Sequence, residues 1–217
     1  MGLRTLRPAP AQAAFDRRVL PVTLAATLPM TPWFRLYRKA YASQFYASKG
    51  SRLTPWSGDF PCVYLAQRKE TTVAEVWGDR LAAQQALEAE VYAISRAQAS
   101  QWAYLRVGPL SPSLRLCDLT GAATQLAVGL DAATLFQPDL EGPQRWADCL
   151  ARHPADFDGI LYPSRHTGEK CLVLWQRPNS SGCLEEALKW EEEGEFVGSE
   201  EAYILAGRLG IQLAFVG

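Results

Sequence analysis

The chain has 217 residues, 48% of them hydrophobic and 21% charged, with a formal net charge of −1. Such a composition excludes an intrinsically disordered chain, whose low hydrophobicity and high net charge leave no core to form. It also argues against wholesale, direct binding of nucleic acid, which calls for a strongly basic surface. No run approaches the roughly 20 uncharged apolar residues needed to cross a bilayer, and the apolar stretch from Val19 to Met30 is short for a signal sequence and crowded by Pro21, Pro29 and Pro32. The expectation is a globular cytoplasmic protein with no membrane partner.

Taken in chain order, residues 1–32 are rich in Ala, Pro and Arg and predict a helix around Gln12 to Leu20, followed by an irregular lead-in. Trp33 to Arg38 reads as a strand ending in a polar loop through Gly50-Ser51-Arg52. Pro55 to Pro61 is turn-rich, and Cys62 to Ala66 is a short apolar strand. Thr72-Val73-Ala74-Glu75 has capping-box spacing, which predicts a helix start there, an interruption near Gly78-Asp79 and a second helix to about Glu90. Trp102 to Val107 and Leu114 to Leu119 read as strands, and Gly142 to Arg152 as a helix stopped by Pro154. Gly159 to Tyr162 and Cys171 to Trp175 flank a turn and predict a hairpin. The segment from Leu184 is glutamate-rich and predicted helical, ending in the apolar run Ile211 to Val216. Strands and helices mix without regular βα alternation, so the fold class is α+β. The expected organisation is a lead-in over 1–32, a core over 33–178 and an acidic extension over 179–217 packed on the core.

Five cysteines, Cys62, Cys117, Cys149, Cys171 and Cys183, are widely spaced and include no Cys-x-x-Cys pair. With His153 and His166 the only histidines, no zinc-ligand spacing assembles locally, so the thiols read as free and no metal is expected. Charge is unevenly placed. Residues 1–52 carry nine Lys/Arg against the single acid Asp16, while residues 185–201 carry eight glutamates against Lys189. Two solvated faces explain this; so does a basic segment that receives phosphates and an acidic tail that contacts a basic partner and lies away from the site.

There is no P-loop, no Gly-x-Gly-x-x-Gly, no His-Glu-x-x-His and no Gly-x-Ser-x-Gly. What remains is dispersed: Arg35 on a strand, Arg52 in a loop, Tyr64 on a strand, Glu75 on a helix and Ser164 in a turn. Two guanidinium forks, an aromatic face, a carboxylate and a hydroxyl suit a ligand that joins a diphosphate to a planar ring. Each also has a plainer use: Glu75 as a helix cap, Arg35 as a paired structural arginine, Arg52 as a loop charge, Tyr64 as core, Ser164 as a turn residue, with Tyr37 and His166 left to packing or surface.

Composition does not select those five residues; the order of the surrounding segments does. Phe34-Arg35-Leu36-Tyr37, Gly50-Ser51-Arg52, Val63-Tyr64-Leu65-Ala66, Val73-Ala74-Glu75-Val76, and Phe157-Asp158-Gly159-Ile160-Leu161-Tyr162-Pro163-Ser164-Arg165 occur in the order of the RES domain, and Cys171 to Trp175 resembles its last core strand. The resemblance spans about Trp33 to Gln176. It implies a fold similar to ADP-ribosyltransferases and an enzyme that consumes NAD by phosphorolysis or hydrolysis of the nicotinamide–ribose bond, with inorganic phosphate as a possible co-substrate. It also implies a toxin restrained by an antitoxin that carries a helix-turn-helix domain, and it allows a homodimer. By that resemblance Glu75 and Arg35 are catalytic, and Arg35, Arg52, Tyr64 and Ser164 bind the dinucleotide. The resemblance also allows protein ADP-ribosylation, since some members of the family transfer ADP-ribose to a protein, and the departure of Ser51 and Leu53 from the family's usual Gly-Gly-Arg-Phe/Trp element leaves a non-catalytic binding module as a second alternative.

Overall fold

The computed structural model describes residues 11–41, 45–46, 50–108, 110–111, 113–130, 135, 139–177, 184 and 188–217. Cys183, Arg4, Arg7, Lys49, Glu185 and Glu186, which figure in the sequence reading, lie outside them.

The apolar runs pair as strands, and the central ones bury both faces. β7 (Gly159–Pro163) and β8 (Lys170–Trp175) are buried almost throughout, the pattern of central strands covered on two sides. They form the predicted antiparallel hairpin, and β8 pairs in turn with β3 (Cys62–Ala66). On the other side β6 (Arg115–Asp118) runs parallel to β7, and the short β1 (Val22–Leu24) closes that edge. β3 meets β2 (Trp33–Arg38), which pairs along its length with β5 (Trp102–Val107), and β9 (Trp190–Glu195) forms the far edge. The result is an eight-stranded mixed sheet in the order β1-β6-β7-β8-β3-β2-β5-β9. The fold class is α+β, as the sequence predicts.

One junction in this sheet differs from the rest. β2 and β3 share the single register pair Phe34↔Ala66, whereas β2 and β5 share six, from Trp33↔Val107 to Arg38↔Trp102. Beyond Phe34 the two strands part, and Arg35 on one side and Tyr64 on the other border the opening.

Alternation sends side chains to two faces. Cys62, Ile160, Cys171 and Val173 pack with Phe15 of the single-turn α1 (Gln12–Phe15) and Trp146 of α5 (Glu141–Ala151). Val63, Leu65, Leu116, Leu161 and Leu172 pack on the opposite face with Trp33 and Val107. A third cluster joins α2 (Lys69–Ala86) to α6 (Glu200–Arg208) through Trp77, Leu81, Phe196 and Leu205. Ile94 and Leu213 complete it from a separate parallel pair, β4 (Val91–Ser95) and β10 (Gln212–Val216). Two short helices follow β4 and β6: α3 (Arg96–Ala99) and α4 (Ala122–Val128). Among the described residues no helix is long and apolar enough to cross a membrane.

Four expectations are corrected. The N-terminal helix stops at Phe15, one turn long, and does not reach Leu20. The helix predicted to begin at Thr72 begins at Lys69, so the capping box does not form: the Thr72 hydroxyl donates to the Lys69 carbonyl, and the Glu75 side chain is engaged by Ser164. α2 runs unbroken through Gly78, which is buried against the His166 ring. The segment Trp190–Glu195 is a strand and not a helix, because pairing with β5 outweighs the helix preference of its glutamates. The sequence carries no strong alternation over β4 and β1 to mark them as strands. Cys62, Cys117, Cys149 and Cys171 are buried and form no disulfide among the described residues, and burial pushes the Cys62 and Cys117 thiols up to about 12.

Candidate functional site

At the parting of β2 and β3 lies a cavity of about 660 Å³, within the roughly 300–1,000 Å³ usual for small-molecule sites. Arg35, Arg52, Tyr64 and Glu75 all line it. Ser164 stands behind the wall, with its hydroxyl donating to Glu75 Oε1 at 2.6 Å. The five residues that the sequence places on two strands, a loop, a helix and a turn therefore meet at one site.

Each is held by its element. Arg35 is only 5% exposed, and its guanidinium lies 5.3 Å from the centre of the Tyr46 ring, a cation–π contact. Arg52 sits on a loop fastened from two sides: Gln144 Nε2 of α5 donates to the Ser51 carbonyl at 2.9 Å, and the Leu53 amide donates to the Tyr64 hydroxyl at 3.1 Å. The Tyr64 hydroxyl also pairs with Thr54 Oγ1 at 3.0 Å, so this phenol holds the loop while its ring faces the cavity. Burial keeps it protonated, well above the ordinary tyrosine range. Leu53, at 1% exposure, packs in the core beneath the loop and also lines the cavity.

Ser164 is buried, and its oxygen accepts the amides of His166 at 3.2 Å and Thr167 at 3.3 Å. Its proton therefore goes to Glu75, whose carboxylate stays exposed to the cavity. A carboxylate held by a buried donor on one oxygen and open on the other can face a developing positive charge. Arg52, on the opposite side of the charge balance, is lowered by burial and by Arg165, while Asp79 and Glu75 act in the other direction.

The site contains residues that the sequence reading did not select. Asp79, one turn beyond Glu75, and Arg165, beside Ser164, both line the cavity and form an ion pair. Tyr46 and Tyr162 contribute aromatic walls. His166, assigned to packing or surface, packs on α2 with Nε2 3.7 Å from Asp79 Oδ1. Helical spacing of Glu75 and Asp79 was the signal available in the sequence; nothing marked Tyr46. Among the described residues no group of three His, Cys, Asp or Glu could hold a metal ion.

The family model of the RES domain matches residues 32–193. The chain belongs to the RES domain family. All the cavity residues named above fall inside the matched span. Among solved structures, the RES chain is similar to one in the crystal structure of the M. tuberculosis MbcT–MbcA toxin–antitoxin complex, with 22% identity, a TM-score of 0.52, and coverage of 82% of this chain and 88% of that one. That likeness supports the α+β fold. No curated protein matches the chain at the sequence level.

Proposed function

We propose that this RES domain protein is an enzyme that binds NAD in the cavity between β2 and β3 and cleaves its nicotinamide–ribose bond. The observation that carries this reading is Glu75, held by Ser164 at 2.6 Å and open to a cavity that Arg35 and Arg52 also line. Nicotinamide leaves neutral from a pyridinium, so the reaction needs no strong general acid. As the C–N bond lengthens, positive charge grows on the ribose ring, and an adjacent carboxylate lowers the energy of that oxocarbenium-like state. Glu75 supplies the carboxylate, and the Ser164 hydroxyl fixes its orientation. Arg35 and Arg52 hold the diphosphate with planar forks suited to phosphate oxygens. The Tyr64 ring packs near the nicotinamide. Water or inorganic phosphate then adds to the ribose carbon.

The similar solved structure is a toxin–antitoxin complex. By analogy this chain acts as a toxin whose NAD consumption is checked by an antitoxin protein, to which the family resemblance gives a helix-turn-helix domain.

The test is mass spectrometry of NAD incubated with purified protein, with and without phosphate. Release of nicotinamide together with ADP-ribose or its 1″-phosphate supports the reading and identifies the acceptor. Label from NAD retained on protein indicates ADP-ribosyl transfer in its place. Intact NAD in both incubations makes the domain a binding module.

A further inference from the structure

The turn after β7 is fastened to one face of α2 at four places. The hydroxyls of Thr71 and Thr167 lie 3.1 Å apart, and Ser164 donates to Glu75 at 2.6 Å. Gly78 receives the His166 ring so closely that a Cβ there would sit 2.8 Å from the ring Nδ1 and Cε1. Asp79 pairs with the Arg165 guanidinium and lies 3.7 Å from His166 Nε2. Positions 71, 75, 78 and 79 share one helical face, so these contacts form a single line. A glycine in a helix interior is disfavoured relative to alanine. Here it makes a notch that no other residue could make.

The product of this line of contacts is the placement of Arg165. Its side chain lines the cavity with Arg52 and Glu75, and its charge is felt at Arg52. The Arg52 and Arg165 guanidinium groups repel each other across the cavity wall, Asp79 and Glu75 offset part of that repulsion, and an anion bound between the two cations relieves the rest. A guanidinium carries five N–H donors, so a contact with Asp79 leaves Arg165 donors for a ligand.

We propose that Arg165 is a diphosphate-binding residue paired with Arg52, and that His166, seated in the Gly78 notch, is the positioning residue that aims it. This rests on the reading of the cavity as a dinucleotide site, and it adds a third cation to that site. The role of His166 lies in its shape, so a ring without nitrogen should serve as well.

The experiment measures inorganic pyrophosphate binding by calorimetry at pH 8, with NAD turnover followed in parallel and folding checked by thermal melts. Arg165→Ala should weaken pyrophosphate about tenfold or more, with Arg165→Lys intermediate, the usual loss for a charge-assisted contact. His166→Ala should weaken it roughly fivefold through lost orientation, and His166→Phe should stay within about twofold of the parent. In turnover, Arg165→Ala should raise KM for NAD with kcat largely kept. Parent affinity in Arg165→Ala or in His166→Ala overturns the proposal, as does a parent protein that fails to bind pyrophosphate. A parent that binds pyrophosphate with this mutant pattern yet leaves NAD intact overturns the NAD reading and supports the anion site.

Discussion

Glu75 and Ser164 form the pair on which the proposed chemistry turns, and they separate in mutation. Glu75→Gln keeps the size and much of the hydrogen bonding but removes the charge. Turnover should fall about 10²–10³-fold, some 2.7–4 kcal/mol, with the melting temperature nearly unchanged. Ser164→Ala takes away a single buried donor to a carboxylate, a contact worth about 1.5–3 kcal/mol, so steady-state kinetics should show a tenfold to hundredfold drop in kcat. Arg35→Ala should act on affinity, since a rigid strand holds its fork and burial fixes its pose; titration calorimetry with NAD should show a loss of about 1.5–3 kcal/mol. Glu75, Arg35, Arg52 and Tyr64 were legible from the order of short segments, each of which keeps its local pattern. Asp79, Arg165 and Tyr46 were not, because their part in the cavity depends on which elements meet, and sequence proximity does not carry that. The capping-box spacing at Thr72 misled for a related reason: one carboxylate was drawn by a distant hydroxyl and not by its own helix end.

At the scale of elements, the strands were the most legible part. β2, β3 and β5 fall where their apolar runs predict them, since each run is bounded by turn residues and buried on at least one face. The acidic strand β9 looks helical in sequence because it carries three consecutive glutamates, whereas an edge strand can hold such charges in solvent; Glu191 pairs with Arg106 and Glu195 with Lys39, and the charged edge discourages edge-to-edge association. Gly159 starts β7 where a Cβ would come within 2.0 Å of the Val173 carbonyl. Gly159→Ala must therefore push β7 and β8 apart, and urea denaturation should register a loss of roughly 2–4 kcal/mol. At the end of β6, burial raises the affinity of Asp118 for a proton, but the hydroxyl and amide of Thr120 and the Thr23 hydroxyl outweigh it and hold this carboxyl below its ordinary range. The folded protein thus binds that proton less readily than the unfolded chain. The stabilisation is complete above the unfolded value of about 4 and is lost as pH falls through the folded one. Asp118→Asn should cost stability at pH 7, and the gap between variant and parent should narrow progressively in melts taken below about pH 4.

For the molecule as a whole, the acidic tail does two separable things. Its described glutamates do not line the cavity, so replacing Glu191 and Glu195 by Gln should leave turnover intact. Its apolar residues are a different matter. Phe196, Leu205, Ile211 and Leu213 are buried around α2, and at about 1.5–3 kcal/mol each they contribute roughly 6–12 kcal/mol, as much as the entire net stability of a typical domain. A chain ending after Arg177 should lose cooperative unfolding by circular dichroism and lose turnover with it, through the fold and not through the chemistry.

The lone Phe34↔Ala66 pair has a consequence for how the protein melts. It divides the sheet into a five-strand and a three-strand panel, bridged by α2 and by the packing of Trp33 and Val107 on Val63 and Leu65, and the proposed ligand would touch both panels: Arg35 belongs to one, Tyr64 to the other. Occupancy then acts as a rivet across a seam. Scanning calorimetry of the empty protein should give a broad endotherm that resolves into two components. Saturation with a non-cleavable dinucleotide should raise and sharpen it into one, because what binds only the joined panels makes them melt together.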